Sequence, residues 1–307
     1  MTKTSKRESG LRHLTVSALM KEIIFNLQQL GKTRTCETYR TTLNSFMRFR
    51  NGSEVLVRDL TPELLQTYEA YLKANNVTMN TVSFYMRILR AAYNRAVEQG
   101  VVQQNHPFAR VYTGVGQTEK RSVAFAHLKQ IKELDLSGLP GWEYARDMFI
   151  FSLYTRGMSF IDMAYLLKTD LKDGILCYRR RKTGQLLRIR WENCMQEVVD
   201  KYPHPDSPYL LPILTSAGQR GRMEYKAAIW RVNRHLKKIG EILQLPIPLT
   251  MYVARHSWAS VARSRNIPLS VISAGMGHHS ETVTQIYLAS LDATLIDKAN
   301  RTVLEGL

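Results

Sequence analysis

Residues 250–290 read TMYVARHSWASVARSRNIPLSVISAGMGHHSETVTQIYLAS. Thr250 follows Pro248 and Leu249 and can cap a helix that starts at Met251, because a threonine oxygen accepts a first-turn amide. Tyr252 and Arg255 are three residues apart and so share a face of that helix. A proline-initiated segment follows from Pro268 to Ala274, with Val271 and Ile272 apolar. Gly275 and Gly277 break it, and Gly277 hands the chain to His278. Ser280 can cap a last helix carrying Val283, Ile286 and Tyr287. One helix thus offers an arginine, a glycine-flanked turn offers a histidine, and the next helix offers a tyrosine.

Taken singly, Tyr287 reads as a core aromatic of an amphipathic helix and His278 as a turn histidine. The ordered set reads otherwise. Arg255-His256-Ser257-Trp258-Ala259-Ser260, then Met276-Gly277-His278, then Tyr287 resembles the C-terminal signature of the tyrosine recombinases, the phage integrase family. The resemblance implies a mainly α fold with a small β-sheet or hairpin. A helical, SAM-like core DNA-binding domain would precede an α+β catalytic domain. It implies Arg156, Lys182, Tyr252, Arg255 and His278 as catalytic residues and Tyr287 as the nucleophile. Arg156 lies in Tyr154-Thr155-Arg156-Gly157-Met158, where a helix meets a glycine; an arginine there otherwise complements the helix dipole. The family usually has an acid three residues after this arginine, whereas here Asp162 is six away. Tyr252 stands where the family most often has histidine.

These residue types suit phosphoryl transfer on DNA. A phosphodiester repels nucleophiles, so catalysis needs positive hydrogen-bond donors at its non-bridging oxygens. Guanidinium groups are planar, forked and permanently charged, and Arg156 and Arg255 are the expected pair. His278 can donate a further hydrogen bond, and Tyr252 can bond a phosphate oxygen from its phenol. The resemblance implies attack by Tyr287 on the 3′ phosphate, with Lys182 protonating the leaving 5′ hydroxyl. The energy of the bond is conserved, so no cofactor and no metal is expected. The histidines show no HExxH or comparable ligand spacing.

Upstream, alternation through Ile175–Arg181 and Leu186–Trp191 predicts a β-hairpin turning at Lys182-Thr183-Gly184-Gln185. Arg179, Arg180, Arg181, Lys182, Arg188 and Arg190 fall on it with no acid among them. The plain reading is an exposed basic hairpin; the resemblance places a catalytic lysine at its turn. Helices are expected over 126–135, 142–155, 194–203 and 223–243, with a loop over 204–222. Arg220 and Arg222 in that loop, Arg231 and Arg234 on the basic helix after it, and Arg179, Arg180 and Arg181 are the expected DNA contacts.

Residues 15–104 read as four helices. Val16, Leu19, Met20, Ile23, Ile24 and Leu27 recur at helical spacing. Thr61-Pro62 is a cap and first-turn proline for the third helix, and Gly100 ends the fourth. Arg34, Arg40, Arg48, Arg50, Arg87, Arg90 and Arg95 lie on the outer faces. Such charges are usually a solvated face; the resemblance makes them a phosphate-contacting surface. Residues 1–14 are expected to be a flexible basic arm and 105–122 an inter-domain linker, leaving 123–307 for the catalytic domain and a tail helix through Leu288, Leu291, Leu295 and Ala299.

Composition agrees with an anionic partner. The 307 residues carry 43 Lys and Arg against 26 Asp and Glu, a formal charge of +17. No apolar run reaches the ~18 residues of a membrane span, and the polar N-terminus has no signal-peptide core. Three scattered cysteines form neither a disulfide framework nor a zinc pattern, which fits a cytoplasmic, nucleoid-associated protein. The resemblance implies double-stranded DNA with inverted-repeat-type sites as partner, a homotetramer on two such sites, a Holliday junction intermediate and accessory DNA-bending proteins. No arm-binding domain is evident ahead of residue 15, which favours a simple recombinase or invertase. The alternatives are a type IB topoisomerase-like enzyme and a non-catalytic DNA-binding regulator.

Overall fold

The computed structural model describes residues 13–116, 121–278, 280–282 and 284. The chain divides into two compact units between residues 118 and 119. The expected arm up to residue 12, Lys120, Tyr287 and the expected tail helix lie outside the described residues.

In the first unit, α1 (Val16–Gln29), α2 (Thr33–Phe49), α3 (Pro62–Ala74) and α4 (Met79–Glu98) surround one apolar core. Their apolar residues recur every three or four positions, so each helix buries one stripe. Phe46 and Tyr68 meet edge to face at 5.3 Å between ring centres, and the Tyr68 hydroxyl donates to Ser45 Oγ at 2.8 Å. Thr61 caps α3 through the Leu64 amide at 3.2 Å, as its sequence predicts. The expected arginines line the outside, all of them exposed except Arg50, which is half-buried.

The segment expected as linker behaves differently over 105–116. Phe108 and Val111 are buried in the first unit's core. The Tyr112 amide donates to Glu69 at 3.0 Å, and the Gly116 amide to Asn80 at 2.8 Å. Two apolar side chains and two satisfied amides hold this stretch against α3 and α4, a non-local effect that its polar composition conceals.

The second unit contains α5 (Phe125–Glu133), α6 (Pro140–Tyr154), α7 (Phe160–Ala164), α8 (Asn193–Lys201), α9 (Gly218–Ile242), α10 (Met251–Ser264) and α11 (Leu269–Met276). Helix α6 is the hub; α9, α10, α8 and α5 pack against it. Its run Met148-Phe149-Ile150-Phe151 is buried on all sides, as a central helix must be. Strands β1 (Leu171–Lys172), β2 (Ile175–Arg179) and β3 (Leu186–Arg190) form an antiparallel sheet in the order β1-β2-β3. Leu176 pairs with Ile189 and Tyr178 with Leu187, which puts all four on the buried face. Arg179, Arg188 and Arg190 point to solvent.

Three local expectations change. Helix α9 begins at Gly218, so Arg220 and Arg222 are on its first turns and not in a loop. The reason is Glu224, whose carboxylate accepts the amides of Thr215 at 2.8 Å and Ser216 at 3.0 Å and ties the helix to the chain before it. Gly275 lies inside α11, and only Gly277, at φ 65°, ends that helix. A Cβ on Gly275 would stand 3.2 Å from the Trp258 ring, so this glycine serves a close approach. Thr250 occupies the N-cap of α10, yet its side chain makes no capping bond; Asn233 Oδ1 on α9 accepts the Met251 amide at 2.9 Å instead. Asn233→Ala is therefore expected to lower stability by about 1 kcal/mol, read as a drop in the thermal midpoint, with Thr250→Val changing it less.

Candidate active site

The side chain at the centre of the second unit is Arg255. It is 4% exposed, unusual for a guanidinium. Its Nη1 donates to the Gly157 carbonyl at 2.9 Å, and its Nη2 donates to the Met276 carbonyl at 2.7 Å and to His278 Nε2 at 2.9 Å. One arginine thereby ties the turn after α6, the end of α11 and the histidine into one group. Gly157 must be glycine here: its φ is 72°, and a Cβ would lie 2.8 Å from Arg255 Cα.

The bond from Arg255 fixes the state of His278. A guanidinium only donates, so Nε2 accepts and the ring proton sits on Nδ1. Nδ1 in turn donates to Thr284 Oγ1 at 2.7 Å, and Thr284 is fully buried. Two of the ring's bonds are thus directed at Arg255 and Thr284. Burial pushes the His278 pKa down to about 4, with the positive charges of Arg255, Arg180 and Lys182 adding to it. His256 is also lowered to about 4, by burial first and then by Arg121 and Arg255.

This has a consequence for stability. An unfolded histidine binds its proton near pH 6.5, while these two folded ones resist it until about pH 4. Above pH 6.5 neither state is protonated and there is no effect. Between 6.5 and 4 the unfolded chain binds more protons, so stability falls as pH falls. In wild type the thermal midpoint should drop across this window, and His278→Gln should drop less steeply than wild type in the same pH series.

The other expected residues are placed as follows. Arg156 sits at φ 61° at the end of α6, half-buried, its Cδ 3.8 Å from where a Gly275 Cβ would be. Lys182 is exposed at the hairpin turn and close enough to His278 to depress its pKa. Tyr252 is 45% exposed, its ring edge-on to His256 at 4.4 Å. Arg255 and Tyr252 are three residues apart on α10, yet the first is buried and the second exposed. Arg179, Arg181, Arg220, Arg231 and Arg234 are exposed and Arg222 is half-buried. Arg181 lies over the Tyr165 ring at 3.8 Å, Arg220 pairs with Glu224 at 3.6 Å, and Arg234 covers the exposed Trp230 at 5.1 Å.

Arg180 departs from its expected surface position. It is 6% exposed, its Nη1 donates to the Gly277 carbonyl, and its Nε lies 3.8 Å from Asp162 Oδ2. Its position keeps the parity of the buried Leu176 and Tyr178, so the alternation of β2 carries one residue past the strand's end, and only the charge of Arg180 argued for the surface. Asp162, 3% exposed, accepts the Arg181 amide at 2.8 Å and the Ser159 hydroxyl at 2.6 Å. Asp162 thus braces Arg180 rather than Arg156. Thr284, Gly157 and Gly275 also belong to this site and were not singled out by the sequence for it. Among the described residues no three His, Cys, Asp or Glu side chains converge as metal ligands, and no helix is long and apolar enough to cross a membrane.

Comparison with known proteins gives the class. Residues 15–111 match the phage integrase SAM-like domain family. The lambda integrase dimer bound to a COC′ core site superposes with a TM-score of 0.69 at 16% identity, covering 94% of this chain and 81% of that one. The lambda integrase tetramer bound to a Holliday junction gives 0.69, also at 16% identity, over 94% of this chain and 80% of that one. The Tn1549 transposon integrase in complex with a circular intermediate DNA gives 0.66 at 16% identity, over 96% of this chain and all (100%) of that one. The first unit is thus a phage integrase SAM-like domain, and the chain has the fold of the tyrosine recombinases. Among named relatives it is similar to tyrosine recombinase XerA of Pyrococcus furiosus, 23% identical over 288 residues, or 92% of this chain and 91% of that protein.

Proposed function

We propose that this protein is a site-specific DNA recombinase that cleaves and rejoins duplex DNA through a phosphotyrosyl bond at Tyr287. The observation that carries the reading is the buried Arg255 group, in which one guanidinium joins Gly157, Met276 and His278. A structural arginine is cheaper at the surface. Burying one inside a basic site makes sense where an anion completes it.

In the proposed reaction the Tyr287 oxygen attacks the scissile phosphorus as its phenol proton passes to solvent water. A P–O(Tyr) bond forms and the P–O5′ bond breaks. Lys182 supplies the proton that the departing 5′ oxygen takes up. Arg255 offsets the charge that builds on the non-bridging oxygens together with a second guanidinium, the role the family resemblance gives to Arg156; Tyr252 bonds an oxygen from the rim, and His278 holds Arg255 in place through its ring nitrogen. The reverse attack by a 5′ hydroxyl from a partner strand reseals the backbone, so the cycle needs no external energy. Work on two inverted-repeat-type sites as a homotetramer through a Holliday junction fits the lambda integrase assemblies to which the fold is similar. The exposed arginines of α9 and of the first unit would follow the phosphate backbones.

The test is covalent trapping. A nicked suicide duplex spanning the ends of the protein's own genomic element is incubated with the wild-type chain without divalent metal. A denaturant-resistant protein–DNA adduct is the expected result. Bound DNA with no adduct would leave the non-catalytic regulator. Adduct formation with relaxation of supercoils but no exchange between two sites would leave the topoisomerase-like reading.

A further inference from the structure

We infer that Arg180 supplies a guanidinium to the scissile phosphate beside Arg255, the position that family resemblance gives to Arg156. The inference rests on the proposed recombinase reading and deepens it.

Position carries the argument. Arg255 Nη2 donates to the carbonyl of Met276, and Arg180 Nη1 donates to the carbonyl of Gly277. Two guanidinium groups thus hold consecutive carbonyls of one turn, and the next residue of that turn is His278. Gly277 permits this approach: a Cβ there would be 2.8 Å from Arg180 Cδ, and its φ of 65° already demands glycine. Arg156 is placed otherwise, half-buried with its stem at Gly275 near the Trp258 ring.

Charge makes the same point. Arg180 is 6% exposed, and the acid paired with it among the described residues is Asp162. Asp162 already accepts the Arg181 amide and the Ser159 hydroxyl, and its distance to Arg180 Nε is a long 3.8 Å. One carboxylate so engaged, at that distance, leaves the charge of Arg180 largely uncompensated. Excess buried positive charge is costly unless an anion arrives, and a phosphodiester brings one negative charge shared by two oxygens. Asp162 then acts as the orienting brace, and the short chain from Arg180 to Lys182 delivers the lysine to the same place. Among the described residues no hydrogen bond engages Arg180 Nη2, so the fork keeps an arm for the ligand.

The experiment separates contact with phosphate from support of the fold. Single-turnover cleavage is measured on two suicide duplexes, one natural and one with a methylphosphonate at the scissile position, in which a neutral methyl replaces a charged oxygen. Wild type, Arg180→Ala and Arg156→Ala are compared. On natural DNA, Arg180→Ala should be slower by about 10²–10³-fold. On methylphosphonate DNA it should approach the wild-type rate on that same duplex, because the charge it would have met is gone. Arg156→Ala should lose less and show no such selective recovery. An equal loss for Arg180→Ala on both duplexes would overturn the inference, as would recovery by Arg156→Ala alone. If circular dichroism shows Arg180→Ala unfolded, Arg180→Met keeps the apolar stem packed and is read by the same ratio. Wild type forming no adduct on either duplex would instead remove the recombinase reading itself.

Discussion

Tyr287→Phe is expected to abolish the covalent protein–DNA adduct while leaving DNA binding intact. The change removes one oxygen, the atom proposed to form the bond to phosphorus. Loss of a nucleophile typically costs on the order of 10⁶ in rate. The adduct should therefore fall below detection in a suicide-substrate assay that readily shows wild type. Binding should change by no more than about 0.5 kcal/mol, the ordinary effect of a substitution with little structural consequence. Among the described residues Tyr178 lies close enough to Arg180, Arg255 and Arg156 to feel their charge. It cannot stand in, because it is 7% exposed and burial pushes its phenol well above the ordinary value, keeping it protonated. If Tyr287→Phe still forms an adduct, the nucleophile is another residue and the assignment from spacing fails. If binding is lost along with the adduct, the variant says nothing about bond formation. The supporting result is therefore the split between the two measurements.

How much of this was legible in the sequence depends on whether the cause was local. The helices of the first unit follow from apolar spacing within each segment, as at Leu65, Tyr68 and Leu72. The hairpin follows from alternation, and Leu176, Tyr178, Leu187 and Ile189 face inward as that pattern requires. The meeting of Arg255 with His278 was foreseen only through the ordered signature, since nothing in either residue alone points to the other. Features set by distant contacts were not visible. The inward side of Arg180 follows the hairpin's alternation, but its partner, the Gly277 carbonyl, is nearly a third of the chain away in sequence. The cap of α10 comes from Asn233 on α9 because that helix packs beside it. Residues 105–116 looked like a spacer because Phe108 and Val111 are few among polar neighbours, yet two apolar side chains suffice to seat the stretch.

The second large effect is expected at Arg255. Lysine there preserves the charge and most of the stem, so any loss measures the fork itself. The wild-type guanidinium reaches three acceptors in different directions: Gly157 O, Met276 O and His278 Nε2. A lysine ammonium is a compact point charge and cannot hold that planar arrangement. At least one acceptor is left buried and unsatisfied, which costs about 1–3 kcal/mol and should lower the thermal midpoint. The larger effect falls on chemistry. Loss of an aligned donor to a developing oxyanion typically costs 10²–10³ in rate, about 3–4 kcal/mol, and here His278 and the end of α11 also lose their anchor. Arg255→Lys should therefore cleave the suicide duplex more than about 10²-fold more slowly than wild type, while still binding it. Arg255→Ala should unfold at a lower temperature still, since about 3–5 kcal/mol attends the removal of one partner from a buried charged network. A cleavage rate for Arg255→Lys within a few-fold of wild type would mean that charge alone is used at this position. The fork would then serve only to tie Gly157, Met276 and His278 together, and the phosphate would have to be oriented by other guanidinium groups of the site.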